Sequence, residues 1–222
     1  MLLGAVGLTG AAGAGGLLWR PKDKGAPHDT YFSALNDLLK REGPGRPVML
    51  LDIDRINTNI DAIADSVGNN KTYRVVVKSL PSVPLLEHVM NRAKTNALMV
   101  FHQPFLNEIA EKFPTADVLL GKPMPLDAAA TFYKKVDETR FDSEKKVQWL
   151  IDSPERLAQY HSLARHLGVK MRVNLEIDVG LRRGGIVTPE AMAPMLKTIR
   201  DNPVHLVLSG LMGYEPHLTG LA

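Results

Sequence analysis

Apolar residues recur along this chain in two rhythms. Short runs of adjacent aliphatic residues alternate with stripes spaced three and four apart. The first rhythm predicts buried strands and the second amphipathic helices. Tyr31, Leu35, Leu38 and Leu39 form the first stripe, with Asp29 or Thr30 as its cap and Gly43-Pro44-Gly45 as its stop. Pro47 to Leu51 then reads as a buried strand. Ile56, Ile60, Ile63 and Val67 follow at spacings of 4, 3 and 4, with Asp54 expected as cap and Gly68 as terminator.

Val75-Val76-Val77 is β-branched throughout and predicts a strand. Ser82 opens a helix carrying Leu85, Leu86, Val89 and Met90. Further strands are expected at 97–101, 118–120, 147–151, 171–177 and 206–208. Ser153-Pro154 and Thr188-Pro189 each place a cap before a proline at the first helical position, where its missing N–H costs nothing. Leu157, Tyr160, Ala164 and Leu167 form one apolar face, ended by Gly168. Met192, Met195, Leu196 and Ile199 form the other. Strands separated by helical segments argue for βαβ units and a parallel sheet. A barrel and a doubly wound sheet both fit this order. No repeat with a period of 20 to 50 residues is evident.

The N-terminal segment breaks the pattern. Residues 1–19 carry no charge, and Arg20, Lys22 and Lys24 follow. Nineteen uncharged residues just reach across a bilayer. Six are glycine, each costing about 0.8–1 kcal/mol of helix propensity against alanine. The segment therefore reads as an export signal or membrane anchor, outside the fold, over residues 1–27, with a disordered or misassigned N-terminus as the alternative. It favours an exported, periplasmic or membrane-anchored protein over a cytoplasmic one. Residues 28–46 are expected to form an N-terminal helix and linker.

Composition narrows the rest. The 222 residues are 45% hydrophobic and 23% charged, which excludes disordered and fibrous classes. Cysteine is absent, so there is no thiolate metal site or Cys nucleophile within the chain. The net charge of +3 is dispersed, so nucleic acid is not an expected partner. Dinucleotide, P-loop, zincin and esterase motifs are missing. Gly121-Lys122, for example, has Ala116 where a P-loop needs glycine.

Catalytic groups of a parallel barrel stand at the C-terminal ends of strands. Lys78 follows the Val75 strand. Partial desolvation beside three valines would suit it to bond a carbonyl; a lysine snorkelling to water is the alternative. After the strand ending at Ile177 comes Asp178-Val179-Gly180-Leu181-Arg182-Arg183-Gly184-Gly185. Its glycines allow a tight turn, and its arginine suits a phenolate, carboxylate or phosphate oxygen. Arg183 bonded to Asp178 would merely shape the loop, and the two readings are compatible. After the last strand come Tyr214 and His217, an acid–base or stacking pair, with a packed rim tyrosine as the plainer alternative. His102 lies just past a strand end as a second-tier candidate. His88, His161, His166 and His205 read as surface or packing residues.

In this order, the three strand ends resemble the fold-type III pyridoxal-phosphate enzymes, the alanine racemase N-terminal barrel group. The similarity is greatest to the D-threonine aldolase and D-serine dehydratase-like branch. Pro47 to Asp54 with Asn59-Ile60 resembles the family's opening strand and helix. Arg74 to Ser79 resembles its cofactor-lysine strand, which makes Lys78 the expected aldimine lysine. Glu176 to Gly180 with Arg183 and Gly185 is similar to its D-[VT]-G-x-x-R-x-G turn, where arginine contacts the cofactor's phenolic oxygen. Gly210 to Glu215 with His217 resembles the branch's G-L-x-x-Y-x-G-H segment, placing Tyr214 and His217 beside the cofactor. The chain departs from the branch at Val75 and Val76, where R-P-H-x-K has Pro and His, and at Pro216, where it has glycine.

The resemblance implies a parallel (β/α)8 TIM-type barrel and a pyridoxal 5'-phosphate enzyme acting on a D-amino acid. Lys78 and Tyr214 would be catalytic. Lys78, Arg183, Tyr214 and His217 would bind the cofactor. An aldolase or dehydratase-like lyase is the leading expectation. A racemase, a non-catalytic cofactor carrier and an inactive barrel fragment are the alternatives. About six barrel strands lie between residues 47 and 222, so the last strands and the family's C-terminal β domain are expected beyond the chain. The aldolase branch carries a divalent metal there, and none of its ligands is assigned here. A six-stranded piece has two unpaired edges, so this chain alone is expected to be poorly soluble and inactive. The full-length protein is expected to be a homodimer.

Overall fold

The computed structural model describes residues 25–79, 82–136 and 140–220. The signal-like segment, residues 1–19, lies outside them. Among the described residues no helix is long and apolar enough to cross a membrane. The chain divides into two compact units, Met1–Leu51 and Asp52–Ala222.

In the first unit, α1 (Thr30–Glu42) starts where Asp29 accepts a hydrogen bond from the Phe32 N–H at 2.8 Å. It stops at Gly43, whose N–H bonds the Leu39 carbonyl. The strand expected over Pro47–Leu51 is absent: the segment is irregular, and Met49 is 71% exposed. Strand structure needs a neighbour to take its backbone hydrogen bonds, and among the described residues this aliphatic run pairs with no strand.

The second unit opens with α2 (Ile53–Val67). Its cap is Asp52 rather than Asp54, because Asp52 has the extended backbone a cap requires and accepts from the Arg55 N–H at 3.0 Å. Six strands follow: β1 (Val75–Val77), β2 (Ala97–Val100), β3 (Asp117–Leu120), β4 (Val147–Ile151), β5 (Met171–Glu176) and β6 (Leu206–Met212). Helices α3 (Val83–Ala93), α4 (Gln103–Lys112), α5 (Leu126–Lys135), α6 (Ser143–Lys146), α7 (Pro154–Leu167) and α8 (Pro189–Asp201) connect them. The caps at Ser82, Ser153 and Thr188 form as expected.

All strand pairs are parallel, and their order in the sheet is β1-β2-β3-β4-β5-β6. A doubly wound sheet reverses its strand order at a switch point. Strictly sequential order, with each crossover of the same hand, puts all connecting helices on one side and bends the sheet into a barrel arc. Among the described residues six barrel strands are present, as the pattern predicts.

Strand residues alternate between two faces. Val75 and Val77 are buried, and Val77 lines a small cavity with Leu86 of α3 and Ile109 of α4, whereas Val76 between them is 49% exposed. Around β4 the helix side is densely aromatic. Trp149 packs against Phe132, Tyr133 and Tyr160, with ring centroids 5.5–5.8 Å apart. Trp149, Phe132 and Tyr160 are fully buried, and such side chains contribute about 1.5–3 kcal/mol each by leaving water. Tyr160 donates its hydroxyl to the Met124 carbonyl at 2.9 Å, and burial pushes its phenol well above the usual range.

The other face is polar near the strand starts. Asp117 accepts from Arg74 at 2.6 Å, Gln148 at 2.8 Å and Arg172 at 3.0 Å. Gln148 in turn accepts from Asn174 at 2.7 Å. Ser209 is the extra residue of a bulge between β5 and β6, and accepts from Arg172 Nε at 3.0 Å. This network ties four strands together at the end where barrels build stability rather than catalysis.

Candidate active site

Lys78 leaves the C-terminal end of β1. It is exposed, not desolvated as its valine neighbours suggest, because Val75 and Val77 turn toward the helices and Lys78 shares the opposite face with Val76. Its Nζ sits 4.8 Å from the centroid of the Phe101 ring, which follows β2. Val77 pairs with Val100, so Lys78 and Phe101 are the next residues along adjacent strands.

At the end of β5 the backbone closes a tight turn. The Asp178 carboxylate accepts the N–H groups of Gly180 at 2.9 Å and Arg182 at 3.0 Å. Those two bonds hold its carboxyl below the usual carboxylate range. Asp178 and Ile186 close the turn further, the Asp178 N–H bonding the Ile186 carbonyl and the Ile186 N–H the Glu176 carbonyl. Gly185 has φ +96°, and a Cβ there would lie 2.9 Å from the Glu176 carbonyl oxygen. Glycine is required on both counts.

Asp178 is thus committed to backbone, and Arg183 takes a different carboxylate from the one expected. Its Nη2 donates to Oε1 of Glu176 at 3.1 Å. Glu176 is the last residue of β5 and buried, while the Arg183 side chain is 36% exposed. The guanidinium lies 4.4 Å from the centroid of the Tyr214 ring, a cation–π stack. Tyr214 follows β6 and is 45% exposed, so it is not a packed rim residue. His217, in the 3-10 turn Pro216–Gly220, packs on the same loop. Its Nε2 would be 3.3 Å from a Cβ at Gly180, and its buried Nδ1 has no hydrogen-bond partner among the described residues.

Arg183, Tyr214 and His217 therefore converge around the β5 turn, at the C-terminal ends of β5 and β6. Lys78 stands at the same end of the sheet but on its other edge. Among the described residues no hydrogen bond, ion pair or ring contact joins it to that group. His102 caps no N–H at the start of α4, and its ring packs edge-on against Phe105 at 4.2 Å. Among the described residues, no group of three or more His, Cys, Asp or Glu side chains is placed to hold a metal ion.

Two residues of this end were not singled out in the sequence as partners. Glu176 is the buried anion for Arg183, and Phe101 is the surface beneath Lys78. A signal for Glu176 exists: Arg172, Asn174 and Glu176 alternate with Met171, Val173 and Leu175, which marks a polar inward face. Phe101 carries no comparable signal.

The fold is similar to that of several solved proteins. Alanine racemase from E. faecalis matches at 16% identity and a TM-score of 0.59, over 73% of this chain and 42% of that one. D-threo-3-hydroxyaspartate dehydratase from Delftia sp. HT23 matches at 20% identity and a TM-score of 0.60, over 73% and 41%. Histidine racemase from Leuconostoc mesenteroides subsp. sake matches at 12% identity and a TM-score of 0.58, over 71% and 40%. The chain spans about two fifths of the length of these proteins. No curated protein matches it. Residues 51–220 match the alanine racemase N-terminal domain, and the chain belongs to that family.

Proposed function

We propose that this chain carries the cofactor-bonding part of a pyridoxal-phosphate enzyme that acts on a D-amino acid, a lyase of the D-threonine aldolase or D-serine dehydratase kind. Members of the alanine racemase family use pyridoxal phosphate. The observation that carries the reading is the placement of an amine, an arginine–tyrosine stack and a histidine at the C-terminal ends of strands in one parallel sheet.

The residues fit such a group. Lys78 offers an exposed amine, free of ion pairs among the described residues, for bonding an aldehyde carbon. Arg183 uses one donor on Glu176 and keeps others for a phenolate oxygen. The buried Nδ1 of His217 awaits a polar partner. When bound, pyridoxal phosphate supplies an electron sink for negative charge developed at the substrate Cα.

The chain's own part is position and proton transfer. Glu176 aims the Arg183 guanidinium, and Arg183 in turn holds the Tyr214 ring by stacking. The Tyr214 hydroxyl and the Lys78 amine are the groups available to take or return a proton. The β-hydroxy D-amino acids favoured here accord with the structural likeness to a dehydratase named for D-threo-3-hydroxyaspartate. The likeness to racemases favours racemisation as the second reading.

Borohydride reduction in the presence of pyridoxal phosphate tests the reading. A stable adduct mapped to Lys78, and lost in Lys78→Ala, is expected. Absence of an adduct, or one unchanged by Lys78→Ala, would overturn it. Product formation from D-threonine, D-serine or D-alanine then separates aldolase, dehydratase and racemase, and turnover of none of them leaves the carrier reading.

A further inference from the structure

We propose that Phe101, seated by Gly121, is a positioning residue for the Lys78 amine. The proposal rests on the reading of Lys78 as the cofactor-bonding lysine. Lys78 follows a three-residue edge strand, and its long side chain has wide rotamer freedom. Among the described residues it makes no hydrogen bond or ion pair; the Phe101 ring, 4.8 Å from Nζ, is the surface it meets.

That ring is held from the other side. The Gly121 N–H bonds the Val100 carbonyl at 2.9 Å, which brings the end of β3 against the end of β2. A Cβ at Gly121 would lie 2.4 and 2.5 Å from Cε1 and Cζ of Phe101, and 2.9 Å from Cγ of Met99. Gly121 is not among the positive-φ glycines, so its backbone does not require glycine. The space taken by the Phe101 ring does. Three successive strand ends thus form a stack, with Gly121 under Phe101 and Phe101 beside Lys78.

The arrangement suits an amine that must react. A carboxylate partner would lock the ammonium in an ion pair. An aromatic face attracts the cation more weakly and leaves its nitrogen open on the side away from the ring. The same face then walls one side of whatever the amine bonds. An aromatic residue at 101 and a residue without a side chain at 121 are therefore coupled requirements.

Two measurements on the protein and its Phe101→Leu, Phe101→Tyr and Gly121→Ala variants test this. The first is acetylation of Lys78 by an N-hydroxysuccinimide ester, without cofactor, followed by mass spectrometry. Phe101→Leu is expected to react about two- to fivefold faster, the range that loss of an exposed cation–π contact gives, and Phe101→Tyr as the parent does. The second is the yield of borohydride-trapped pyridoxal-phosphate adduct, formed as Nζ adds to the aldehyde carbon and one water leaves. Phe101→Leu is expected to lose adduct about threefold at limiting cofactor through loss of the wall, on the same scale. Loss of fold alone would not move the two readouts in opposite directions while Phe101→Tyr restores both. Gly121→Ala is expected to match Phe101→Leu; if it does not fold, Phe101→Leu decides. Equal acetylation of Lys78 in the parent and a folded Phe101→Leu would overturn the proposal. Absence of any adduct in the parent would instead overturn the cofactor reading, while acetylation still tests the contact.

Discussion

Arg183 donates to Glu176 across the neck of the β5 turn, 3.1 Å from Nη2 to Oε1, with the carboxylate buried and the guanidinium stacked on Tyr214. One arginine is thereby fixed by a charge on one side and a ring on the other. A guanidinium fixed this way presents its remaining donors in a set direction. Glu176→Gln keeps the shape and an acceptor. Glu176→Ala leaves Arg183 without its anion and is expected to weaken pyridoxal-phosphate binding about tenfold, the scale of one charge-assisted hydrogen bond of roughly 1.5 kcal/mol. Absorption titration of the two variants checks this, with Glu176→Gln expected between parent and Ala.

Gly185 is expected to tolerate no side chain. Gly185→Ala meets the Glu176 carbonyl at 2.9 Å with φ at +96°. The strain of that backbone region costs about 1–3 kcal/mol, before any steric shift. Thermal melting should fall by several degrees, and Arg183 should lose its aim along with the turn. Gly184→Ala, with open space at its Cβ, is the matched control.

Acid should loosen the sheet through Asp117. Burial pushes its carboxyl up, but hydrogen bonds from Arg74, Gln148 and Arg172 outweigh that and leave it below its ordinary value of 3.8. A depressed carboxylate contributes stability that is fully present above the unfolded value, near pH 4, and is lost as pH falls through the folded one. The parent should therefore lose stability below about pH 4 more steeply than Asp117→Asn. At neutral pH Asp117→Ala, which removes the carboxylate that Arg74 and Arg172 share, is expected to cost about 2–3 kcal/mol. Urea unfolding across that pH range measures both.

Tyr160→Phe removes a buried hydroxyl that satisfies the Met124 carbonyl at 2.9 Å. The expected loss is about 1 kcal/mol in chemical unfolding, with the ring packing against Trp149 intact. Tyr160→Ala, which also empties the core beside Trp149, should cost about 3–5 kcal/mol.

The sequence by itself determined the strands from Val75 onward and the helices opened at Ser82, Ser153 and Thr188, because burial of one face writes a local period into the chain; α4, α5 and α6 were not read from it. Val147–Ile151 and the caps at Ser82, Ser153 and Thr188 stand where that period and local hydrogen bonding put them. Lys78, Arg183 and Tyr214 were legible for the same reason: each follows an apolar run, and strand ends are where a parallel barrel displays chemistry. Only the tertiary structure decided which groups meet. Sequential strand order, not periodicity, makes the sheet a barrel arc. The path of the β5 turn commits Asp178 to backbone and hands Arg183 to Glu176. The register of β1, β2 and β3 sets Lys78 on Phe101 and Phe101 on Gly121. Residues 47–51 carry the composition of a strand but pair with none among the described residues. Strand pairing and side-chain contact depend on residues distant in sequence, and a local pattern records what each segment buries, not what it buries it against.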